Sequence, residues 1–369
     1  MRRRLFICNT PYQLIVSVIL MNQLEEEADY SEIILTDNFK NSELITKKIE
    51  QEGNKKVYFA KINDFLFPKS FKKKLEKAFY ILAPKQMVKT CFDENTISQY
   101  DEVFYNNDDM FLYNIVFLIA KRNPNVKLFR YEEGYSSYIY PVCSLRGKRI
   151  TDIRNKIFGI NIFNHFLSGV YFFEPELVRY KLDVPFYRIE RNINEKVKRN
   201  IEVYFDIPKQ YNSIEENCII FEESFAEDIG FTDDLAIYEK INDILNGDIV
   251  VKLHPRTKRN RFKEVGIKTL ENDGVPWEAV LISKGIQDKK FMAIASGSII
   301  NSQILIGNVG ESWLLYKCIS QNKIPLLNQE FQEFINDLLE KNILKGIIIP
   351  ESREELYEMM SKRNEKGNI

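Results

Sequence analysis

One histidine stands at the end of a strand-like stretch, between two cations. Residues 250–256 read Val-Val-Lys-Leu-His-Pro-Arg, so an apolar, β-branched run leads into a polar turn. The pattern predicts His254 at the carboxyl end of a strand, the edge of an α/β sheet where ligands usually bind. With Lys252 and Arg256 beside it, the imidazole suits an anionic ligand and could pass a proton to a leaving group near neutral pH. A charged surface turn is the alternative interpretation.

An acidic loop offers a candidate proton acceptor. Residues 127–131 predict a strand whose end carries Glu132, Glu133 and Gly134. Glycine permits a positive φ and the close approach of a ligand, and a carboxylate at this edge could accept the proton of a sugar hydroxyl. An ordinary acidic turn would have the same composition.

The second half of the chain adds another acidic loop and a serine turn. Residues 222–230 directly follow a predicted strand and include Asp228. After the strand predicted at residues 291–295, the hydroxyls of Ser296 and Ser298 and the amides of the next helix could cradle a phosphate. Serine is also the ordinary N-cap residue, which is the simpler explanation of the same turn.

The elements that must position these residues alternate between strand and helix. Residues 4–8 predict a strand, Asn9 or Thr10 an N-cap, and Pro11 the first residue of a helix. This alternation is typical of doubly wound parallel sheets. Further strands are predicted at residues 32–36, 56–60, 102–105, 218–221 and 248–253, and helices at 41–52, 68–89, 190–199, 233–245 and 350–362.

Length and composition set the broad class. A chain of 369 residues exceeds what one core normally serves, so we predict two domains, residues 1–213 and 214–369. Lys+Arg 52 balances Asp+Glu 53, which gives no global field for nucleic acid. Five cysteines without paired spacing argue against a zinc site and a disulfide scaffold and favour a cytoplasmic protein.

Three other features have simple explanations. Asp108 and Asp109 are expected at a helix N-terminus, because no ligand spacing for a metal accompanies them. His165, among Phe163, Phe166 and Leu167, is expected to be a core or groove histidine. No window is apolar for the 18 to 20 residues or so that a membrane span needs. The basic segment of residues 68–89 predicts a solvated amphipathic helix, with peripheral contact to the inner face of a membrane as the alternative.

Taken together, the motifs resemble those of bacterial sialyltransferases, most closely glycosyltransferase family 52, the lipooligosaccharide and capsule sialyltransferase group. Their order along the chain is the same as in that group, which makes the set more specific than any single motif. The motifs are residues 6–14 (Phe-Ile-Cys-Asn-Thr-Pro-Tyr-Gln-Leu), Glu132-Glu133-Gly134, residues 252–256 (Lys-Leu-His-Pro-Arg), Pro276-Trp277-Glu278 and Ser296-Gly297-Ser298.

The resemblance implies a GT-B fold, two Rossmann-like domains with parallel sheets facing a central cleft, and CMP-sialic acid held chiefly by the C-terminal domain. It implies no metal and no cofactor. By analogy His254 contacts the phosphate and acts as the general acid, Lys252 and Arg256 add positive charge, Ser296 and Ser298 bind the same phosphate, and Glu278 binds the ribose hydroxyls. Asn9, Thr10, Pro11, Glu132 and Gly134 belong to the matching substrate-binding motifs.

The acceptor side leaves alternatives open. Glu133 and Asp228 compete as the general base, and the resemblance favours Asp228, which lies where the resembled family places a catalytic Asp, although the match there is looser. The resemblance implies inversion, transfer to a galactose-terminated bacterial surface glycan with an α2,3 linkage, and a homodimer. A GT-B enzyme with another nucleotide sugar and a non-catalytic nucleotide- or glycan-binding scaffold are the competing hypotheses.

Overall fold

The computed structural model divides the chain into two compact units, Met1–Asp206 and Ile207–Ile369, called here the first and the second unit. The structure describes residues 2–26, 29–53, 55–71, 75–76, 79–80, 83–91, 100–141, 167–286, 288–307, 309–320 and 324–367. The interpretation of His165 lies outside the described residues.

The first unit is built on a seven-stranded parallel sheet in the order β3-β2-β1-β4-β5-β6-β7. Its central strands are apolar on both faces, as a sheet covered on two sides requires. The strands are β1 Arg3–Cys8, β2 Tyr30–Thr36, β3 Lys56–Ala60, β4 Glu102–Tyr105, β5 Lys127–Tyr131, β6 Gly169–Phe172 and β7 Phe186–Arg188. The helices are α1 Pro11–Gln23, α2 Ser42–Glu52, α3 Asn63–Leu66, α4 Pro84–Cys91, α5 Met110–Arg122, α6 Ser136–Ile139 and α7 Glu195–Phe205, with a 3-10 turn at Pro175–Leu177.

Two buried helices of this unit begin where their N-caps predict. Thr10 accepts a hydrogen bond from the backbone N–H of Gln13, and Pro11 follows as the first helical residue. Asp109 accepts from the N–H of Leu112 at the start of α5. The expectation that the Asp108-Asp109 pair marks a helix N-terminus is therefore confirmed, and each cap removes an orphan donor beside the sheet.

The second unit is built on a six-stranded parallel sheet in the order β10-β9-β8-β11-β12-β13. The strands are β8 Cys218–Phe221, β9 Ile249–Lys252, β10 Lys268–Thr269, β11 Lys290–Ala293, β12 Ser312–Leu314 and β13 Ile347–Ile348. The helices are α8 Phe225–Ile229, α9 Asp234–Ile244, α10 Arg261–Glu264, α11 Trp277–Lys284, α12 Gly297–Ile306, α13 Gln329–Glu340 and α14 Arg353–Gly367, with 3-10 turns at Lys209–Asn212, Tyr316–Cys318 and Pro325–Leu327.

The chain divides before the boundary that the sequence predicts at residue 213. Gln210 and Tyr211 donate hydrogen bonds to Asp273 at 2.6 and 3.2 Å, and Asp273 lies in the second unit. The residues before β8 therefore pack with the domain that follows them, because their polar side chains find partners there.

Two predicted segments differ in detail from the structure. The acidic loop of residues 222–230 contains the short helix α8, so Asp228 lies on a helical turn. The single helix predicted at residues 68–89 is interrupted, because Pro84 starts a new helix, as proline does at a first helical position.

Strands β6 and β7, which extend the first sheet, were not predicted, since one is short and the other mixes charge with aromatic residues.

Candidate functional site

Three loops of the second unit meet at one edge of its sheet. Strand β8 lies between β9 and β11, and all three are parallel, so their carboxyl ends open on the same side. The loop after β9 carries His254, the turn after β11 carries Ser296, and Glu222 and Glu223 directly follow β8. The structure thus brings the predicted histidine and serine motifs together, joined by two carboxylates from the strand between them.

Glu222 holds the turn that contains His254. Its Oε2 accepts hydrogen bonds from the backbone N–H of His254 at 3.1 Å and from Oγ1 of Thr257 at 2.5 Å. Its Oε1 accepts from Nε of Arg261 at 3.3 Å, and Arg261 in turn binds both carboxylate oxygens of Asp234 at 2.6 and 2.5 Å. Only 2% of the Glu222 and Asp234 side chains is exposed. A buried, fully hydrogen-bonded ion network therefore sets the geometry of the His-Pro turn.

His254 is held as a neutral imidazole. Its Nδ1 accepts a hydrogen bond from the N–H of Arg256 at 3.2 Å, which leaves the proton of the neutral ring on Nε2. Burial lowers the pKa of His254 to about 4, and the positive charges of Arg256 and Lys252 act in the same direction, against the opposing effect of Asp228. The unliganded ring is therefore a hydrogen-bond donor through Nε2 near neutral pH, and it becomes an acid only where an anion offsets these effects.

Lys252 lies in a buried polar group beside the histidine. Its Nζ donates a hydrogen bond to the Tyr211 hydroxyl at 2.8 Å and lies 3.8 Å from Oδ1 of Asp273. Burial lowers the pKa of Lys252, while Asp273 and Glu278 raise it. Burial also raises the pKa of Glu278 to about 7, with Lys252 opposing. Lys252 and Glu278, both predicted to bind substrate, thus lie close enough for the charge of each to stabilise the ionised form of the other.

The serine turn is a helix N-cap whose position depends on Glu223. Ser296 Oγ accepts from the N–H of Ser298 at 3.2 Å, which confirms the N-cap interpretation of Ser296. The preceding N–H, that of Ala295, donates to Oε1 of Glu223 at 2.7 Å. Burial raises the pKa of Glu223 to about 8, so the group is protonated at neutral pH. Ser296 uses an acceptor lone pair for the cap and keeps its hydroxyl proton for another partner.

Arg256 and Asp228 pair with each other at the exposed margin of this edge. The guanidinium Nη1 lies 3.0 Å from Oδ1 of Asp228, and Nη2 donates to Ser224 Oγ at 2.8 Å. Ser224 Oγ also donates to Oδ2 of Asp228 at 2.7 Å. Both oxygens of the Asp228 carboxylate are therefore engaged by donors of the protein.

The amino-terminal motif lies at the carboxyl edge of the first sheet. Asn9 is buried at the end of β1, and its Oδ1 accepts from the Thr36 hydroxyl at 2.8 Å. Its N–H donates to Oε1 of Gln13 at 2.5 Å. Thr10 and Pro11 start α1. These contacts fix the strand-to-helix turn within the first unit.

The two adjacent glutamates after β5 have different environments. Glu132 is fully buried and accepts hydrogen bonds from the Tyr12 hydroxyl at 2.9 Å, from the N–H of Phe173 at 3.1 Å and from the Tyr138 hydroxyl. Burial raises its pKa to about 7. Three internal donors thus occupy Glu132, which ties α1, α6 and the end of β6 together.

Glu133 is only partly enclosed and stays at the loop surface. Burial raises the pKa of its carboxyl, while Arg130 and a hydrogen bond from Gln13 lower it. Gly134, next in the chain, has φ 98°, a conformation that favours glycine. The predicted glycine at this turn is therefore required by the backbone.

Arg130, on β5, is the residue of this edge that sequence reasoning missed. It is 4% exposed, and within the described part of the chain its Nε and Nη2 have no hydrogen-bond partner. A buried guanidinium is costly unless an anion or several acceptors satisfy it. An arginine two residues before an acidic pair was the available signal, but a strand arginine is also common on a solvated face.

No group of three or more His, Cys, Asp or Glu side chains that could hold a metal ion occurs in the described ranges. Nor, among the same residues, is any helix both long and apolar enough to cross a bilayer.

Comparison with known proteins identifies a family. The sequence model of the alpha-2,8-polysialyltransferase family matches residues 4–311. A search of curated proteins found no match.

Solved structures with a similar fold include the UDP-GlcNAc 2-epimerase from Methanocaldococcus jannaschii, with 12% identity, a TM-score of 0.52 and coverage of 98% of this chain and 92% of that chain. Another is the spinosyn forosaminyltransferase SpnP, with 10% identity, a TM-score of 0.50 and coverage of 99% and 95%. At such identities the likeness shows the fold alone. The fold is of the GT-B class, two Rossmann-like units with parallel sheets, as predicted.

The buried network under the His-Pro turn makes a stability prediction. Asp234→Ala leaves Arg261 buried with one carboxylate instead of two, and we expect it to lower the free energy of unfolding by about 3 to 5 kcal/mol. Urea denaturation at neutral pH measures the loss. The matched control is Arg259→Ala, which breaks the exposed two-bond pair of Arg259 with Glu264 and should hardly move the midpoint. Equal shifts in the two variants would contradict the role of the network.

Proposed function

Because the chain belongs to the alpha-2,8-polysialyltransferase family, a family of sialyltransferases, we propose that it transfers sialic acid from CMP-sialic acid to a terminal sugar of a bacterial surface glycan. The transfer inverts the anomeric configuration and uses no metal ion. The observation that carries the proposal is the convergence of His254, Lys252 and the Ser296 turn at one sheet edge. The narrower assignment to glycosyltransferase family 52 stays a prediction.

We assign the CMP phosphate to the edge of the second unit. His254 donates Nε2–H to a phosphate oxygen, and the Ser296 and Ser298 hydroxyls donate to the same group. Lys252 supplies a buried positive charge nearby, and Glu278 accepts from the ribose hydroxyls. Arg256 can also bind the phosphate, but only while its guanidinium is shared with Asp228. Donors fixed by the fold stabilise a growing phosphate charge more strongly than water would, since they need no reorganisation.

The chemical step breaks the bond between the anomeric carbon and the phosphate oxygen. An acceptor hydroxyl attacks that carbon from the opposite side, a general base takes the hydroxyl proton, and CMP leaves with the electron pair of the broken bond. The negative charge of the bound donor raises the pKa of His254 from its low value, so the ring becomes able to give a proton to the departing phosphate.

We favour Glu133 over Asp228 as the general base. Burial raises the pKa of Glu133, which strengthens its carboxylate as a base. Asp228 is exposed, and each of its oxygens already accepts a hydrogen bond, from Arg256 or from Ser224, so taking a proton would disturb this pairing. The neighbour Glu132 is excluded from this role because three internal donors hold it.

The buried Arg130 favours an acidic acceptor. Its Nε and Nη2 lie unpaired within the described residues, close enough to Glu133 to lower the pKa of that carboxyl. A terminal sialic acid would supply a carboxylate to this guanidinium, and a terminal galactose would not. We therefore propose a sialylated acceptor in place of the α2,3-galactoside expected from the sequence. The matching family is named for α2,8 transfer, which accords with this choice. The predicted homodimer stays a prediction.

His254→Ala is expected to lower transfer from CMP-sialic acid by at least about 100-fold without lowering the melting temperature. His254→Gln keeps a hydrogen-bond donor but no transferable proton, so it should retain CMP binding within about tenfold and still lose transfer. By NMR, the pKa of His254 should rise from about 4 when CMP is added. Full activity of His254→Ala would overturn the proposal.

A panel of nucleotide-sugar donors, assayed with EDTA present, tests which donor the protein uses and whether transfer needs a metal ion. If the wild type binds CMP but neither transfers the sugar nor hydrolyses the donor, the proposal is also overturned.

Replacing each candidate base separates the two loops. Glu133→Gln should lower kcat by about 100-fold to 10,000-fold, while CMP binding stays the same. Asp228→Asn should lose much less. In the wild type, kcat/KM should fall as the pH drops through the raised pKa of Glu133, because the protonated carboxyl cannot accept a proton. If Asp228→Asn is the more damaged variant, the assignment is reversed.

An acceptor panel tests the role of Arg130. Wild-type protein should prefer an oligosaccharide ending in sialic acid to the same chain ending in galactose. Arg130→Gln should raise KM for the sialylated acceptor by about tenfold to 100-fold, the value of a hydrogen bond to a charged group, and leave hydrolysis of the donor unchanged. Arg130→Lys keeps the charge and should lose less. A wild-type preference for galactose would show that this acceptor assignment is wrong.

A further inference from the structure

Two adjacent glutamates directly after β8 have the same chemistry but different hydrogen-bond partners. Glu222 accepts three hydrogen bonds, one of them from the guanidinium of Arg261. Glu223 is 8% exposed, and its Oε1 accepts from the N–H of Ala295 at 2.7 Å. Its Oε2 is buried without a hydrogen-bond partner in the described part of the chain. Because a buried carboxylate needs donors or a cation, the fold supports a charge on Glu222 and opposes one on Glu223.

The charged groups packed around Glu223 also oppose a negative charge there. Glu222 precedes it in the chain, Asp234 at the start of α9 is 1% exposed, and the charges of both acids raise the pKa of Glu223. Tyr238, also on α9, faces the same acids, and among the described residues its hydroxyl has no hydrogen-bond partner. The cation of this cluster, Arg261, is bound to Asp234 and Glu222. A third carboxylate would therefore meet two others.

Glu223 is thus buried as a neutral acid. Burial is the largest cause that raises its pKa to about 8, and the hydrogen bond from the Ala295 N–H opposes this effect. A protonated carboxyl still accepts a hydrogen bond through its remaining lone pairs. The contact with Ala295 is therefore kept in the form that carries no charge.

The contact with Ala295 joins the end of β8 to the turn after β11. Ala295 is buried and directly precedes Ser296, whose Oγ accepts from the N–H of Ser298 and caps α12. The side chain of Glu223 therefore sets the position of the Ser296 hydroxyl and of the first turn of α12. A helix N-terminus with a serine cap suits an anion, so a charge on the residue that holds this turn matters to any anion bound there.

We propose that Glu223 is a positioning residue for the donor phosphate, and that it holds the Ser296 turn in its protonated form. The proposal rests on the proposed function, because it takes the phosphate to bind at this turn. A neutral acid fixes the turn without placing a negative charge beside the phosphate. Once the proton leaves, the carboxylate opposes the phosphate charge, and donor binding weakens.

Lys252 is a second group of this edge whose titration would weaken binding at alkaline pH. Burial lowers the pKa of Lys252, while Asp273 and Glu278 raise it. Loss of its proton would remove a positive charge from the phosphate site, so the pH profile of the wild type alone does not identify Glu223. A substitution at Glu223 separates the two groups, because it leaves Lys252 in place.

The pH dependence of CMP binding in Glu223→Gln tests the inference. The amide keeps an oxygen for the Ala295 N–H and cannot ionise. In the wild type, the Kd of CMP measured by calorimetry should be constant near neutral pH and rise by up to about tenfold per pH unit above the pKa of about 8. Glu223→Gln should bind CMP within about threefold of the wild type near neutral pH and should lack the alkaline rise.

Glu223→Ala removes the acceptor as well as the acid. It leaves the buried Ala295 N–H without this partner, and we expect the Kd of CMP and the KM for the donor to rise about tenfold near neutral pH. The KM for the acceptor should stay the same. The matched control is Glu264→Gln, which changes an acid of the same unit whose side chain is 48% exposed. This control should keep the wild-type pH profile.

A measurement without ligand tests the charge state of Glu223. In the unfolded chain its proton leaves near the ordinary pKa of 4.5, and in the folded protein near 8. The unfolded state therefore binds fewer protons between these values, and the free energy of unfolding of the wild type should fall relative to Glu223→Gln as the pH rises through this range. Urea denaturation of both proteins at several pH values measures the difference.

Three results would overturn the inference alone. The first is an alkaline rise in Kd that persists in Glu223→Gln, which would assign the rise to Lys252. The second is a stability difference between the wild type and Glu223→Gln that does not change with pH. The third is a folded Glu223→Ala that binds CMP as the wild type does. A wild type that binds no CMP at any pH would overturn the proposed function together with this inference.

Discussion

A buried carboxylate directly after the central strand β8 determines how the neighbouring loop leaves the sheet. Glu222 accepts the backbone N–H of His254 and the hydroxyl of Thr257, and its charge is balanced by Arg261. A buried carboxylate needs such donors, because desolvation of a lone charge is prohibitive. The donors come from one turn, so satisfying the charge also fixes the turn. The position of the imidazole thus follows from an electrostatic requirement of the core.

The same edge keeps its reactive groups uncharged or paired until a ligand arrives. Burial lowers the pKa of His254 to about 4 and raises that of Glu223 to about 8. Neither side chain therefore carries a charge near neutral pH, while Lys252 is held by Tyr211 and Asp273. A phosphate bound here would place a negative charge beside His254 and so raise the pKa of the imidazole, whose protonated form is disfavoured without a ligand. Pre-formed donors of this kind suit a leaving group that gains charge as it departs.

In the first unit, burial separates two residues of identical chemistry. Glu132 points inward to three donors and joins structural elements, whereas Glu133 stays partly open beside Arg130. The neighbours that the fold brings to each carboxylate account for the difference. Glu132 accepts from the Tyr12 and Tyr138 hydroxyls and from the N–H of Phe173, whereas Glu133 has Gln13 and the charge of Arg130 beside it. One carboxylate therefore stabilises the edge while the next is available for chemistry.

Local sequence was sufficient for the elements and for the positions of the motifs. The strands at β3, β4, β5 and β8, the caps Thr10 and Asp109, the glycine conformation at Gly134 and the parallel α/β class were all predictable, because propensity, capping and periodicity act over a few residues. The same signals predicted His254 at a strand end and Ser296 at a helix start. Strands β6 and β7 were beyond them, since β6 begins with a glycine and β7 has three residues that mix charge with aromatic rings.

The tertiary structure decided which polar residues serve the site. Glu222, Asp234 and Arg261 come from separate parts of the second unit, and no local pattern joins an acid after a strand to an arginine at the start of a helix further along. Burial, which sets the pKa of His254 and distinguishes Glu132 from Glu133, depends on the packing of whole layers. It also left the Nε and Nη2 atoms of Arg130 without a hydrogen-bond partner among the described residues. The sequence by itself therefore determined most of the elements and most of the residues able to do chemistry. Only the fold decided their partners and charge states, because desolvation and ion pairing are set by neighbours distant in sequence.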